Sequence, residues 1–315
     1  MGLAAQGEAP IWPPPDGVPF KPRGDVILAG TAYAPRGGLV RSMDVSLRVG
    51  KLQKTLRVVG DRKWWYPSKL ALVPGATDPE PFTTMPLTYA RAYGGTDEVS
   101  ASWYPENPTG RGFIGRKTRD AIHGKPLPNI EDPADSVTSW DSRPKLPAGF
   151  DFYGEGWLPR RKYAGTYDAK WQKERPDRLP ADFSPAFFNA AHPDLQVEGY
   201  LRGDEDVELR GVTPDGLVKF RLPGVRPKIT VLKWTEDPDA WVDRNSTPDR
   251  AMGLADVPTR EEVVPAHLDT LVFLPDQGIY HEVFRGVCAL NSLERAEVAE
   301  IRVEEELIAP MRSRE

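Results

Sequence analysis

The sequence lacks the features that place many proteins in a membrane or outside the cell. Its only cysteine is Cys288, so an internal disulfide is excluded and a reducing compartment is favoured. It has no apolar run of about 18 residues, and we therefore expect no membrane-spanning helix. Residues 1–15 lack the cationic start and the apolar stretch of a secretory signal. Together these absences predict a cytoplasmic protein.

Sequence motifs for catalysis and cofactor binding are also missing. The chain contains neither the Gly-x-Ser-x-Gly motif of hydrolases nor the phosphate-binding patterns Gly-x-x-x-x-Gly-Lys-Ser/Thr and Gly-x-Gly-x-x-Gly. Its four histidines have no zinc-ligand spacing. The net charge is −5 with interspersed signs, which is unlike a nucleic-acid-binding surface. We therefore expect no catalytic residues, no cofactor, no metal and no nucleic-acid partner.

Proline and glycine, by contrast, are abundant. The 315 residues include 33 Pro and 28 Gly, but the nine Trp argue against a disordered chain. Alternating apolar and polar residues predict an antiparallel meander of strands at 25–34, 40–49 and 52–62. Turn sequences at residues 213–216 and 275–278 predict two later hairpins. We expect a mainly β fold, an antiparallel β-sandwich or a barrel-like core with long irregular loops and a few short helices.

Helix signals are short and few. Residues 168–175 are predicted to be helical, with Asp168 as the N-cap and Pro176 as the stop. Residues 183–191 could form a second short helix that ends before Pro193. Residues 297–305 are predicted to form a strand, although their glutamate content also fits a helix.

The domain organisation is predicted from the position of these elements. Residues 1–17 are expected to be a flexible N-terminal segment, and residues 311–315 a tail. Residues 18–310 are expected to form a single large β-rich domain, because strands occur on both sides of an irregular middle. A division into two lobes near residue 195 is the alternative.

Aromatic residues concentrate in proline- and glycine-rich tracts in the middle of the chain. These tracts are residues 81–89, 93–97, 107–113, 127–133 and 157–168. Long shaped loops on a scaffold usually bind something, and Arg, Tyr and Trp are favoured anchors at protein interfaces. The alternative is that the same residues brace the loops. The candidate partner-binding residues are Tyr89, Arg91, Tyr93, Arg111, Phe113, Trp157, Arg160, Tyr163 and Tyr167.

A second function class is compatible with the composition. The 46 acidic residues offer many carboxylate pairs, and the Trp and Tyr rings could stack on sugars. A carbohydrate-active enzyme or a carbohydrate-binding β-sandwich is therefore the alternative to a partner-binding protein. It requires a cleft with two carboxyl groups roughly 5–10 Å apart beside exposed rings.

Several tracts together resemble one protein family. They are residues 20–30, 85–95, 107–113, 127–131, 164–168, 187–196 and 201–205. In this order they resemble the domain of unknown function 2169 family, over residues 18–222 closely and over residues 268–285 more loosely. The family has further strand sequence before the stretch that matches Phe20, so the resemblance implies a start that is shortened or replaced here.

The resemblance implies a function. Members of the family are encoded beside type VI secretion effectors in bacteria, and they are thought to hold an effector in the cytoplasm and to load it onto the VgrG-type spike protein. The resemblance therefore implies a non-catalytic adaptor or chaperone whose partners are an effector and the spike. It carries over no catalytic residues. Release is expected without ATP, because no phosphate-binding loop is present.

Overall fold

The computed structural model describes residues 18–290 and 298–307. The predicted N-terminal segment and tail therefore lie outside the described residues. The strands of three or more residues are, in chain order, β1 (Gly24–Leu28), β2 (Thr31–Tyr33), β3 (Ser42–Val49), β4 (Leu52–Val59), β5 (Thr84–Pro86), β6 (Asp206–Arg210), β7 (Leu217–Arg221), β8 (Val225–Trp234), β9 (Thr259–Val264), β10 (Ala266–Leu274), β11 (Ile279–Gly286) and β12 (Val298–Leu307).

The remaining elements are short. The α-helices are α1 (Arg119–Ile122), α2 (Leu158–Arg161), α3 (Ala169–Glu174) and α4 (Pro238–Asn245). Two-residue strands lie at Trp64–Trp65, Gly75–Ala76, Tyr93–Gly94, Thr96–Asp97, Ser102–Trp103, Arg111–Gly112, Ile130–Glu131 and Gln196–Val197. Single 3₁₀ turns lie at Pro35–Gly37, Tyr89–Arg91, Pro185–Phe188, Pro193–Leu195, Leu254–Asp256 and Pro275–Gln277.

Two larger sheets enclose the main core. The first has the order Gln196–Val197, β1, β10, β11, and its β1–β10 pair is parallel. The second has the order Ile130–Glu131, β4, β3, β6, β7. Their inner residues belong to one buried cluster, and the Phe220 ring of β7 meets the Tyr280 ring of β11 at 5.3 Å. This packing is the sandwich arrangement, and none of the sheets formed by the described residues closes into a barrel.

The described residues also form a third sheet and a second core. Strands β9, β8 and β12 form a three-stranded antiparallel sheet. The second core is built by the middle of the chain, and its buried residues are Trp64, Tyr93, Tyr104, Phe113, Ile114, Ile122, Leu127 and Val137. Strands from both sides of residue 195 share each larger sheet, so that position does not separate the two cores.

The mainly β fold predicted from the sequence is confirmed, and so are both turn-based hairpins. Strands β6 and β7 flank residues 213–216, and strands β10 and β11 flank residues 275–278. The three-strand meander is correct only for its β3–β4 hairpin. Strand β1 pairs instead with β10, because its all-buried sequence Gly24–Leu28 belongs to the interior of the other sheet. The helix capped by Asp168 is present as α3, and β12 is the predicted C-terminal strand.

Candidate functional site

An open cleft of about 470 Å³ lies beside helix α2, and we refer to it as the α2 cleft. Its lining combines the beginning of the described chain, helix α2 and the segment from 184 to 196. The lining residues are Pro22, Arg23, Leu146, Tyr153, Pro159, Arg160, Lys162, Tyr163, Ser184, Pro185, Ala186, Asn189, Ala191, Pro193 and Gln196. The cleft thus brings together three of the tracts that the sequence singles out, residues 20–30, 157–168 and 187–196.

Arg160 fixes one wall of the α2 cleft. Its side chain is buried, and it donates hydrogen bonds to the backbone carbonyls of Tyr153 (3.0 Å) and Phe187 (3.1 Å). Its guanidinium also lies 5.2 Å from the centre of the Phe187 ring. The planar Arg160 guanidinium thus joins helix α2 to the backbone at Tyr153 and at Phe187. It thereby fixes the distance between helix α2 and the turn at Pro185–Phe188.

Asn189 fixes the opposite wall. Its side-chain amide donates to the Arg23 carbonyl (2.8 Å) and to the Asp25 carboxylate (2.9 Å). Asp25 also accepts from the Ala190 backbone N–H at 2.8 Å and from the Lys21 ammonium at 2.9 Å. Both members of this ion pair are almost fully buried, with exposed fractions of 0% for Asp25 and 1% for Lys21. The chain around Pro22 and Arg23 is therefore tied to the segment that follows Phe188.

The charge on the lining of the α2 cleft is of one sign. Arg23, Arg160 and Lys162 contribute cations, and none of the described lining residues is Asp or Glu. Two other clefts, of about 490 and 270 Å³, each have a single lining carboxyl, from Asp120 and Asp215. None of these three clefts supplies the pair of acids that the carbohydrate-hydrolysing alternative requires.

A charged cluster lies behind the cleft at the turn Pro193–Leu195. The buried Lys54 ammonium donates to Asp194 at 2.8 Å and to Asp132 at 3.3 Å. Lys54 is buried because it lies on the same inner face of β4 as Leu56 and Val58, two and four residues later. His192 Nδ1 accepts a hydrogen bond from the Asp194 backbone N–H at 3.1 Å and thereby caps the turn.

The environment of His192 keeps its imidazole neutral. Burial is the main reason why the pKa of His192 falls from 6.5 to about 4, and the Lys54 charge adds to it. Burial alone would raise the pKa of the neighbouring Asp194 carboxyl, but the hydrogen bond and the charge of Lys54 bring it below its usual value. At neutral pH, the Nδ1 lone pair of His192 is thus free to accept the capping hydrogen bond.

This depressed pKa predicts a stability that depends on pH. Between pH 6.5 and about 4 the unfolded chain binds a proton at His192 that the folded chain does not, so acid favours unfolding there. In His192→Asn the amide oxygen can still cap the turn but does not titrate. The quantity of interest is the unfolding free energy of the wild type minus that of His192→Asn. We expect this difference to be constant above pH 6.5 and to fall by on the order of 2–3 kcal/mol towards pH 4.

Urea unfolding at a series of pH values measures this difference. The comparison of wild type with His192→Asn is needed because Asp151 also titrates in this pH range. Desolvation raises the pKa of its carboxyl to about 6, so Asp151 makes the unfolding free energy rise as the pH falls, opposite to the effect of His192. The control variant is His267→Asn, because the His267 side chain is exposed. It measures how removing a surface histidine changes the unfolding free energy. A difference in unfolding free energy between wild type and His192→Asn that stays constant from pH 7 to pH 4 would contradict the proposed environment of His192.

The structure buries four of the nine candidate partner-binding side chains. Their exposed fractions are 5% for Tyr89, 4% for Tyr93, 9% for Phe113 and 7% for Arg160. Tyr89 donates to the Asp151 carbonyl and packs edge-on against Trp157. Tyr93 and Phe113 belong to the second core. Tyr89, Tyr93 and Phe113 shape loops from the inside and do not offer a contact surface of their own, whereas the buried Arg160 lines the α2 cleft.

The other five candidates are partly or fully accessible. Arg91 and Arg111 both point at the Asp61 carboxylate, at 3.8 and 3.5 Å. Burial lowers the pKa of Arg111, and the neighbouring Arg91 charge lowers it further. Trp157 is half-buried against the main core. Tyr163 lines the α2 cleft, and Tyr167 is 54% exposed and packs edge-on against Trp171 at 4.7 Å.

The structure therefore brings together only part of the predicted set. Arg160 and Tyr163 line the α2 cleft, and Trp157 lies at the start of helix α2 beside them. The sequence reasoning missed Arg23 and Lys162 on its rim. Lys162 lies inside the tract 157–168 and Arg23 inside the tract 20–30. The sequence does not show that Arg23 reaches the cleft, because its position depends on the hydrogen bond from the Asn189 amide to the Arg23 carbonyl.

The comparisons with known proteins identify a family. A family model described as "Uncharacterized protein conserved in bacteria (DUF2169)" matches residues 3–285. The chain belongs to the DUF2169 family. No curated protein and no solved structure matches this DUF2169 member.

Two further findings concern membranes and metals. No helix formed by residues 18–290 or 298–307 of this DUF2169 chain is long and apolar enough to cross a membrane. Within the same ranges, no group of three or more His, Cys, Asp or Glu side chains is arranged to hold a metal ion.

Proposed function

We propose that this DUF2169 protein is a cytoplasmic adaptor that binds a type VI secretion effector and passes it to a VgrG-type spike protein. The observation that carries the proposal is the α2 cleft. It is an open, prearranged cleft built partly from family tracts, and its lining offers cations, an aromatic ring and prolines but no acid. Such a lining can bind and orient a partner, whereas it lacks a carboxylate general base or nucleophile.

The rigidity of the cleft supports a binding role. Arg160 and Asn189 are held by two or more hydrogen bonds each, so neither has to be ordered when a partner arrives. Prearranged side chains reduce the entropic cost of association. A protein that hands its partner on without a nucleotide needs moderate affinity, and an open cleft with few deep apolar contacts suits that requirement.

Co-purification tests the proposal. This chain would be expressed with the effector and the spike protein encoded next to it, and the mixture analysed by size exclusion with mass measurement. We expect a stoichiometric complex with the effector that is absent when this chain is omitted. Effector and spike that assemble equally well without this chain would overturn the adaptor proposal.

Two aromatic side chains should matter for that complex. Tyr163 lines the α2 cleft and Tyr167 follows it with a largely exposed ring, and neither belongs to the buried cores. We expect Tyr163→Ala combined with Tyr167→Ala to weaken effector binding by roughly tenfold or more, with little change in thermal stability. Trp103→Ala is the matched control, because its ring is 53% exposed but belongs to a strand in another part of the chain. Equal effects of both variants would contradict this site.

A further inference from the structure

We infer that the α2 cleft binds an extended, acidic segment of a partner protein. The inference rests on the proposed adaptor function and gives the chemical class of the segment that the cleft recognises. The volume of about 470 Å³ lies within the range of ligand sites, roughly 300–1,000 Å³. The cleft is not enclosed, so a chain can enter it from solvent without threading.

Charge is the first argument. Arg23 and Lys162 have exposed side chains on the rim and form no ion pair with any described residue. Arg160 adds a third cation to the lining and lies 3.9 Å from the carboxylate of the exposed Glu155. The acid behind the wall, Asp25, is already neutralised by Lys21. The rim of the cleft therefore presents two uncompensated positive charges in a chain whose net charge is −5.

The shape and chemistry of the walls are the second argument. Four of the lining residues are prolines, which have rigid rings and no N–H, and the half-buried Tyr163 adds an aromatic ring. A wall of proline rings with one tyrosine suits an extended peptide, whose backbone carries its own donors and acceptors. Glutamate or aspartate side chains from such a peptide can reach the rim cations and form charge-assisted hydrogen bonds.

A nucleic acid fits these observations less well. Phosphate-backbone binding requires a run of cations that follows the strand, and the cleft has three cations with no further basic lining residue among those described. The Lys162 ammonium also lies 4.8 Å from the centre of the Tyr163 ring, so that ring face is already occupied and is closed to a stacking base. A carboxylate approaching Lys162 from the solvent side leaves that contact intact.

The test uses the full chain and a fluorescein-labelled peptide in which glutamate alternates with alanine and proline. Its control peptide has glutamine at every glutamate position. Fluorescence anisotropy is measured at about 50 mM and about 250 mM NaCl, because screening weakens charge contacts. We expect the glutamate peptide to bind, the glutamine peptide to bind at least roughly tenfold more weakly, and salt to reduce the difference.

Charge variants locate the binding site. Arg23→Gln combined with Lys162→Gln should weaken binding of the glutamate peptide by roughly tenfold. The control is Lys170→Gln combined with Lys173→Gln on the neighbouring helix α3, which removes the same charge from exposed positions outside the cleft. Equal loss in both double variants, or no binding at all, would overturn the inference. So would competition by an oligothymidine as strong as that of the unlabelled glutamate peptide.

The same variants separate this inference from the adaptor proposal. If the effector still co-purifies with the Arg23→Gln, Lys162→Gln chain, the adaptor function stands and the acidic-segment inference fails. If the peptide binds as expected but no effector complex forms with the wild-type chain, the cleft is a site for acidic peptides and the adaptor proposal fails.

Discussion

Lys21→Met should lower the free energy of unfolding by about 3–5 kcal/mol, the largest effect we expect from replacing a single side chain. Lys21 and Asp25 form an ion pair at 2.9 Å with almost no exposed surface. Lys21 also donates to Thr270 Oγ1 at 2.8 Å, so it links the chain before β1 to strand β10. Methionine keeps the aliphatic stem but leaves the Asp25 carboxylate in the core without its cation.

Urea unfolding monitored by tryptophan fluorescence measures the loss. Lys219→Met is the control, because Lys219 pairs with Glu208 at 3.0 Å but its side chain is 58% exposed. We expect the control to change the unfolding free energy by less than about 1 kcal/mol, since exposed ion pairs contribute little. A loss of less than about 1 kcal/mol for Lys21→Met would show that the Asp25 carboxylate finds another way to be stabilised.

Gly95→Ala should destabilise the second core by about 3 kcal/mol or more. Gly95 has φ +99°, a backbone conformation that residues with a Cβ rarely adopt. An added Cβ would lie 2.3 Å from the Gly110 carbonyl oxygen, and a backbone group cannot rotate away as a side chain can. The contact is tight because Gly95 N–H donates to the Asn107 carbonyl and its own carbonyl accepts from Tyr104 N–H.

Hydrogen exchange shows where the damage occurs. We expect amides of the second core, such as those of Tyr104 and Phe113, to lose protection while strands β1 and β10 keep theirs. Two matched variants separate strain from contact. Gly37 has φ +67° and Gly75 has an ordinary φ, and at neither position would an added Cβ have another atom within 4 Å. Gly37→Ala should cost about 1–2 kcal/mol and Gly75→Ala close to none; equal costs for Gly95 and Gly37 would contradict the steric argument.

What the sequence predicts well in this chain is local. The hairpin turns at residues 213–216 and 275–278 are predicted because Pro, Asp and Gly set the turn geometry within four residues. Helix α3 is predicted for the same reason, since the Asp168 carboxylate accepts from Trp171 N–H three residues later. Strand β1 is placed wrongly because its partners are remote, and its uninterrupted burial gives no alternation from which to choose them.

The aromatic tracts show the same limit at the candidate site. Tyr89, Tyr93 and Phe113 have the composition of interface anchors, but the loops around them have few strand hydrogen bonds and need an apolar interior of their own. The rings supply it. Whether a ring faces inward or outward depends on contacts between tracts, which composition does not encode. The cleft cation Arg23 was missed because Asn189, 166 residues further along the chain, determines where its carbonyl lies.

The parallel pairing of β1 with β10 has a consequence for synthesis on the ribosome. Asp25 has Thr270 as its register partner, so the first larger sheet cannot form until strand β10 has been translated. At about 5–20 residues per second, this interval lasts on the order of ten to fifty seconds. During that time the apolar residues Val26–Leu28 lack their partner strand, and strand β1, which carries the Asp25 that ties the wall of the α2 cleft, is not yet held in the sheet. Binding competence therefore arrives only after strand β10 has been translated, and products that stop before residue 266 should be insoluble and unable to bind.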